Sequence, residues 1–321
     1  MPLFVLRRLL SFVLTLLVTS VVVFAVLELL PGNAAQVILG ETATPESIAA
    51  MEDKLGLNQP AATRYLSWMS GMLQGQTGLS ISYDTPTGQL MAERMQVTFP
   101  LAVIAMGLTI ALALALGIYA ASQQNKAGDV GVMTLSQLGL ALPNFWLAIL
   151  LILLFAVHLE WVSAGGFPGW SEEDGGGIGE GVKALLLPAM ALAAVQTAIL
   201  TRVTRSAVLD TLREDFVRTA RAKGLSRRQV LWGHVLRNAM IPVLTVMGLQ
   251  FGNLITSAIV IENVFVLPGI GRLIFQAIAN RDLIVVRDVV MLLAALVILI
   301  NFCIDVLYAW IDPRLKAGHV G

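Results

Sequence analysis

The residues of this sequence that could do chemistry gather in one basic segment, residues 209–242, which reads LDTLREDFVRTARAKGLSRRQVLWGHVLRNAMIP. That chemistry is ionic recognition, because arginine and lysine side chains on a helix bind acidic protein surfaces or anionic headgroups. Signatures of catalysis are missing: the sequence contains no H-E-x-x-H, no G-x-S-x-G and no G-x-x-x-x-G-K-[ST] motif. We therefore expect a docking surface, and not an enzyme.

The rest of the chain must place this segment beside a membrane. Of its 321 residues, 57% are hydrophobic and only 13% are charged, and a soluble domain would carry roughly twice that charged fraction. The single cysteine, Cys303, excludes an intrachain disulfide framework and a thiolate-rich metal site. The composition predicts an all-α integral membrane protein.

Six segments are apolar enough to cross a bilayer core, which takes about 20 helical residues. They are residues 9–30, 97–121, 130–157, 184–201, 239–261 and 289–311. The first follows Arg7 and Arg8 and resembles a signal peptide, but its apolar run is too long and no clean cleavage site follows it. We predict an uncleaved anchor.

The positive-inside rule predicts that both termini are cytoplasmic. With that orientation, fourteen of the 21 lysines and arginines fall in cytoplasmic segments. They are Arg7, Arg8, Lys126, Arg202, Arg205, Arg213, Arg218, Arg221, Lys223, Arg227, Arg228, Arg237, Arg314 and Lys316.

Two external segments are substantial. The first, residues 31–96, is predicted to contain a helix over residues 45–55, with Thr44 as its N-cap, and a second helix near residues 62–73. The second, residues 158–183, is glycine-rich and acidic, which favours a mobile, solvated connector. A lip that meets an external partner is the alternative.

The basic segment itself predicts two helices joined by a tight turn. Leu209, Leu212, Phe216 and Ala220 recur at helical spacing, with charges on the other face. Gly224 can end this helix in a left-handed conformation, and a second helix, capped by Ser226, then runs into the fifth span. Basic amphipathic helices also lie on anionic lipid, so these residues alone leave lipid contact and protein docking open.

Several residues within the spans are candidates for roles in a pathway or in packing. The translocation-path candidates are Gln250, Asn253 and Glu262. The candidates for close helix packing are Gly248, Gly252 and Thr256, since small residues let backbones approach within a membrane.

Other residues of the spans carry narrower expectations. Asp305 is expected to pair with a neighbouring helix or a loop arginine. Pro143 and Pro188 should interrupt and kink the third and fourth spans. His158 and His234 each stand alone, so no metal site is predicted.

The basic segment resembles the coupling motif of permease subunits of binding-protein-dependent ABC importers. Ala220, Gly224 and Leu236 fit the general EAA form of that motif, and the other positions match the version of the dipeptide/oligopeptide/nickel permease family. That version, D-[FY]-V-R-T-A-R-A-K-G-L followed by H-x-L-R-N-A-x-x-P, is carried by residues 215–225 and 234–242. Shorter matches lie at residues 6–8, 30–32, 55–57, 142–146, 262–265 and 312–314.

The resemblance implies a type I ABC importer permease fold in the bacterial cytoplasmic (inner) membrane. By its long first external loop, the chain resembles the first permease subunit of this family. The implied partners are a second homologous permease, two ATP-binding subunits and an external solute-binding protein, and no nucleic acid. ATP and Mg would be bound by the partner subunits, and this chain would bind no cofactor and no metal. The residues implied to couple to the ATPase are Glu214, Asp215, Phe216, Arg218, Thr219, Ala220, Arg221, Ala222, Lys223, Gly224 and Leu225.

The segments and the resemblance together predict an organisation and a function. Residues 1–30 form the N-terminal helix and 31–96 the external loop; the core of 97–311 contains a coupling loop at 206–238, and 312–321 form a cytoplasmic tail. The expected function is uptake of di- and oligopeptides. The alternatives are nickel, metal-chelate or glutathione import within the same family and, more remotely, a proton-coupled carrier, which would need ionisable relays that the spans nearly lack.

Overall fold

The computed structural model describes residues 2–29 and 43–311, together with residues 35 and 39, and most of these residues are helical. Within them, the only β pairing is an isolated bridge between Leu79 and Pro86. The predicted tail 312–321, with Arg314 and Lys316, and the family match at residues 30–32 lie outside the described residues. The helices are α1 (Pro2–Leu29), α2 (Pro45–Leu55), α3 (Ala61–Leu73), α4 (Thr87–Ser122), α5 (Ala127–Ala141), α6 (Asn144–Leu151), α7 (Ile178–Leu212), α8 (Asp215–Ala222), α9 (Arg227–Val230), α10 (Leu236–Val264), α11 (Ile270–Ala279) and α12 (Leu283–Ile311). Two π-helical stretches extend α6 and join α9 to α10, at Ile152–His158 and Leu231–Val235.

Five helices of the described residues are long and apolar enough to cross a membrane. They are Leu6–Leu29, Thr87–Ser122, Ile178–Leu212, Arg227–Val264 and Leu283–Val306. The number reaches six when α5 and the extended α6 are taken as one bent span. These helices confirm the all-α membrane class.

The third predicted span is not one continuous helix. Helix α5 and the extended α6 meet at an angle of 102°. The break falls at Leu142, whose extended backbone (φ −91°, ψ 126°) precedes Pro143, because the proline ring disfavours helical geometry in the residue before it. The kink predicted at Pro143 is therefore confirmed and is large enough to divide the span.

Pro188 does not divide its span in this way. Helix α7 continues through Pro188, so the predicted interruption of the fourth span is wrong, whereas the kink predicted there stays a prediction. Helix α10 likewise continues through Pro242. A proline within a helix costs one hydrogen bond, and packing along the rest of a long helix can offset that loss.

The two helices predicted within residues 31–96 are present. Helix α2 covers Pro45–Leu55, and Thr44 is its N-cap, accepting a hydrogen bond from the Ser47 backbone N–H at 3.3 Å. Helix α3 covers Ala61–Leu73.

The chain divides into two compact units. We call residues 1–8, 99–267 and 300–321 the main unit, and residues 9–98 and 268–299 the second unit. The main unit has a core of small and branched apolar residues, among them Ala113, Leu200, Val208 and Val243. Gly117 lets α4 approach α7 closely, since a Cβ there would lie 2.6 Å from Thr204 Cβ.

Two buried carboxylates organise the second unit. Asp282 accepts hydrogen bonds from Ser80 Oγ at 2.7 Å and from the backbone N–H of Ser82 at 3.0 Å. Asp288 accepts from Trp68 Nε1 at 2.9 Å and Thr87 Oγ1 at 2.5 Å. Both are fully buried, so the start of α12 is tied to α3 and to the turn that precedes α4.

The glycine-rich segment 158–183 is only partly the solvated connector that its composition favours. Residues 171–175 are exposed, whereas residues 165–170 are half-buried. The Gly166 backbone N–H donates to the Phe265 carbonyl at 2.9 Å, and Gly165 lies so close to that carbonyl that a Cβ would clash with it. Glycine at these positions allows the segment to pack on the end of α10.

Candidate functional site

The basic segment folds as an elbow of short helices, which we define as residues 213–235. Helix α7 ends at Leu212, and Glu214, with extended backbone (φ −67°, ψ 147°), is the N-cap of α8. The apolar stripe predicted to run through one helix is therefore divided between α7 and α8. Because of this break the buried face of α8 consists of Val217 and Ala220, with 1% and 7% exposure, whereas Phe216 is 39% exposed. The prediction that Phe216 lies on the apolar face of the helix was therefore wrong.

The turn after α8 is a Schellman motif. Gly224 is left-handed, with φ +86°. Its backbone N–H donates to the Arg221 carbonyl at 3.0 Å, and the Leu225 N–H donates to the Ala220 carbonyl at 3.3 Å. These two bonds are the pair that defines the motif, and glycine is favoured because it enters the left-handed region without steric cost. The predicted role of Gly224 in ending the helix is confirmed.

Helix α9 begins with a capping box. Ser226 is the N-cap: its Oγ accepts from the Gln229 N–H at 3.4 Å, while the Gln229 side chain accepts from the Ser226 N–H at 2.9 Å. The π-helical stretch then leads directly into α10. The predicted cap and the predicted run of the second helix into the fifth span are both confirmed.

The elbow is anchored to the main unit by its apolar face. Val217, Ala220, Val230 and Val235 belong to the same buried cluster as Leu209. Van der Waals packing over this cluster fixes the elbow to the adjoining ends of α7 and α10. The elbow is therefore packed against the ends of two spans.

The outer face of the elbow is basic and exposed. Nine of the predicted coupling residues are exposed, whereas Ala220 is buried and Leu225 half-buried. The exposed nine are Glu214, Asp215, Phe216, Arg218, Thr219, Arg221, Ala222, Lys223 and Gly224. Trp232, which the sequence analysis did not single out, is 62% exposed and borders an open depression of about 650 Å³ with Ser226, Arg228 and Gln229. A solvent-facing surface with two aromatic rings among cations suits an acidic partner.

A second feature near the elbow was missed by sequence reasoning. Arg205 on α7 forms a bidentate ion pair with Asp129 on α5, at 2.5 Å from Nε to Oδ1 and 2.6 Å from Nη2 to Oδ2. The Asp129 side chain is 4% exposed, and its Oδ2 also accepts from the Asn125 N–H at 2.9 Å. The available signal was two isolated opposite charges near the same predicted ends of two apolar segments.

The translocation-path candidates lie on α10 and differ in exposure. Gln250 is 4% exposed and Glu262 is fully buried, whereas Asn253 is exposed. Asn253 Nδ2 donates to Gln250 Oε1 at 2.9 Å, and Gln250 Nε2 is buried without a hydrogen-bond partner among the described residues. Gln250 and Asn253 thus form a polar pair on one face of the helix.

The packing candidates lie on the same helix. Gly248 faces α12, since a Cβ there would be 2.5 Å from Ile304 Cγ1. Gly252 is buried, and Thr256 Oγ1 donates to the Gly252 carbonyl at 3.3 Å. Asp305, on α12, pairs with Arg8 at 3.1 Å, which confirms the expected arginine partner.

Several buried polar groups on α7 were also missed. Thr197, Thr201 and Thr204 recur on one face of α7, and their hydroxyls have no hydrogen-bond partner among the described residues. Gln196 Oε1, next to this face, is likewise buried without a hydrogen-bond partner among the described residues. Buried hydroxyls in this state are costly, which adds them to the candidates for contact with a polar solute.

Metal ligands do not cluster in the part of the chain that the structure describes. His158 and His234 are both exposed. The Asn238 side-chain amide donates to the His234 backbone carbonyl at 2.8 Å.

Apolar spans joined to an exposed basic elbow define a multi-pass membrane protein with a cationic surface at one end of its helices. A family model described as binding-protein-dependent transport system inner membrane component matches residues 113–317, and the model of that family's N-terminal part matches residues 1–113. The chain belongs to this family of permease subunits.

Curated relatives match over nearly the whole chain. A peptide transport system permease protein of Brucella abortus is 39% identical over 312 residues, which are 97% of this chain and 98% of the relative. The dipeptide transport system permease protein DppB of Alkalihalophilus pseudofirmus is 38% identical, and the alignment covers 98% of this chain and 99% of the relative. The glutathione transport system permease protein GsiC of Salmonella choleraesuis is 39% identical, covering 98% of both chains.

A solved structure shares the fold. A chain of the MetNI methionine ABC transporter, in inward-facing conformations, aligns with a TM-score of 0.57 and 16% identity. The alignment covers 70% of this chain and 97% of that chain. The described helices thus have the type I importer permease fold.

Proposed function

We propose that this chain is a transmembrane permease subunit of an ATP-driven importer of di- and oligopeptides. Its partners in this proposal are a second homologous permease, two ATPase subunits and an external solute-binding protein. The peptide, dipeptide and glutathione permeases among its relatives support this substrate class. Both termini and the basic elbow would lie in the cytoplasm, and ATP with Mg would be bound by the ATPase subunits.

One observation carries the proposal: one face of the elbow packs against the main unit, and the other face is exposed. Val217 and Val230, each 1% exposed, fix it to the main unit. The cationic outer face, with Phe216 and Trp232, is left for an ATPase subunit. Closure of the ATPase subunits on ATP would push the elbow and, through the buried cluster, tilt α7 and α10.

The bare metal-ion alternative has less support. Peptide or glutathione transport is in the names of the relatives given above, and His, Cys and carboxylate residues do not cluster among the described residues. Import of a metal chelate would place no ligand on the permease. Titration of the cognate solute-binding protein with dipeptides, glutathione and nickel chelates separates the three cases.

The coupling role is tested by Gly224→Val. A Cβ at Gly224 would meet no atom within 4 Å, but φ is +86°, so the substitution strains only the backbone. A residue with a Cβ pays about 1–2 kcal/mol in this region, and a β-branched residue more. We expect loss of peptide uptake and of transport-stimulated ATPase activity in proteoliposomes, with all subunits still assembled.

Gly131→Val, on α5 and outside the elbow, is the matched control. Gly131 also has open space around it and lacks a left-handed φ, so this variant should keep its uptake. If Gly224→Val assembles and transports as the wild type does, the coupling role of the elbow is wrong.

A further inference from the structure

The second unit contains a cavity of about 550 Å³ that the proposed transport cycle does not use. Its walls come from the end of α1, the α2–α3 corner, the segment before α4 and the start of α12. Cavities of a few hundred Å³ hold small organic ligands. The charged residues of the lining are Glu28, Asp53, Arg64 and Arg287.

The lining of the cavity includes Trp68 and two arginines, Arg64 and Arg287. Arg287 lies over the Trp68 ring, 4.7 Å from its centroid. Arg64 is four residues before Trp68 on α3 and so shares its helix face. The Arg64 Nε is buried and has no hydrogen-bond partner among the described residues. An unfilled donor beside a cavity is a position for a ligand acceptor.

The guanidinium of Arg287 is held in place. Its Nε donates to Asp288 Oδ1 at 3.1 Å. The same carboxylate is held by Trp68 and Thr87. The Nη2 atom lies beside Gly78, since a Cβ at Gly78 would be 3.7 Å from it, and Gly78 also lines the cavity. A fixed guanidinium suits a carboxylate, because the two groups form paired charge-assisted bonds.

Two carboxylates line the same cavity. Glu28 pairs with Arg64. Asp53 Oδ1 accepts from Asn58 Nδ2 at 2.5 Å, and the residue is exposed. A ligand that suits this lining carries a carboxylate for the arginines and an ammonium group for Asp53 or Glu28.

We propose that this cavity is a binding site for a short zwitterionic peptide, separate from the candidate path residues of the main unit. The choice of a peptide over other zwitterions rests on the proposed function. The carboxylate of the peptide binds at Arg287 and Arg64, and its ammonium group binds at Asp53. Such a site would hold peptide on the second unit independently of the solute-binding protein.

The test is calorimetric titration of the complete transporter in nanodiscs, without solute-binding protein, using alanylalanine. Ser67→Trp fills the cavity, and Ser70→Trp, one turn further along α3, is the matched control because Ser70 is exposed and is not part of the lining. We expect Ser67→Trp to weaken binding at least about tenfold, and Ser70→Trp to leave it unchanged.

Chemical variation of the probe tests each end of the site. Alanylalanine amide lacks the carboxylate and N-acetyl-alanylalanine lacks the ammonium group, so each should bind about tenfold more weakly. Asp53→Asn should weaken alanylalanine binding but leave the acetylated probe unaffected. This variant alters an exposed residue, so it keeps the test valid if Ser67→Trp does not fold.

Three results would overturn the proposal. They are no binding of alanylalanine to the wild type, equal binding by Ser67→Trp and Ser70→Trp, or a Ser67→Trp defect confined to docking of the solute-binding protein, which would make the cavity a protein interface. Uptake by the complete transporter with its solute-binding protein is measured in parallel. Normal uptake with no cavity binding rejects only the site, whereas the absence of any peptide uptake rejects the proposed function.

Discussion

At the scale of single residues, the Asp129–Arg205 pair is the interaction whose loss should cost most in the main unit. The carboxylate is almost fully buried, and both of its oxygens are bound by the guanidinium. Removing one partner of a buried pair leaves an uncompensated charge, which costs far more than the intact pair contributes. The pair ties α5 to α7 shortly before α7 leads into the elbow.

Asp129→Asn should therefore lower the free energy of unfolding by about 3 kcal/mol. The asparagine can still accept from the Asn125 N–H, so the loss isolates the ion pair. The measurement is the melting temperature of the detergent-purified permease. The double variant Asp129→Asn/Arg205→Gln should recover part of the loss, because no charge is then left unpaired.

The control is an exposed ion pair that is also formed by an aspartate and an arginine. Arg218 pairs with Asp215 at 3.3 Å, with side chains 78% and 94% exposed. Arg218→Gln should leave the melting temperature unchanged, because surface pairs contribute little. Equal melting temperatures for Asp129→Asn and the wild type would show that the buried pair does not hold α5 to α7.

At the scale of elements, the two faces of α8 have separable roles. Val217 is buried and Phe216, its neighbour, is exposed. Val217→Ala should lower the free energy of unfolding by about 1–3 kcal/mol, because it leaves a cavity in the cluster that anchors the elbow. Phe216→Ala should leave the melting temperature unchanged but reduce the amount of ATPase subunit that co-purifies with the permease.

This adjacent pair of variants is its own control. A loss of ATPase binding in Phe216→Ala at unchanged stability assigns the exposed ring to the interface. If Phe216→Ala destabilises the permease while Val217→Ala does not, the buried and exposed faces of α8 are assigned the wrong way round. The docking surface proposed on the exposed face would then be wrong.

The same element shows what a sequence can and cannot predict. The turn at Gly224 and the cap at Ser226 were predictable because their partners lie within five residues along the chain. The break between α7 and α8 was not, since the stripe from Leu209 to Ala220 fits one helix as well as two. The Asp129–Arg205 pair joins residues 76 positions apart, and such contacts depend on packing that local patterns do not encode. The same holds for the contact of Gly166 with Phe265.

At the scale of the whole molecule, the proposed importer separates membrane passage from ATP hydrolysis. This chain contributes apolar spans and the exposed elbow, and its proposed partners hydrolyse ATP. The sequence contains no phosphate-binding loop, and in the proposed importer the energy of ATP reaches the spans through the ATPase subunits. Most of the charge is gathered outside the apolar runs, and a proton-driven carrier needs ionisable relays within its spans. In that proposal, the elbow of this chain receives the force that the ATPase subunits generate.

The last prediction separates these two forms of energy. The permease reconstituted alone in liposomes should not accumulate a labelled dipeptide under an inward proton gradient. The complete set of subunits, with solute-binding protein and enclosed ATP, should accumulate it. Non-hydrolysable ATP in place of ATP is the control for simple binding. Gradient-driven uptake by the permease alone would make the chain a secondary carrier. The elbow would then be a pair of helices that faces lipid and does not bind an ATPase subunit.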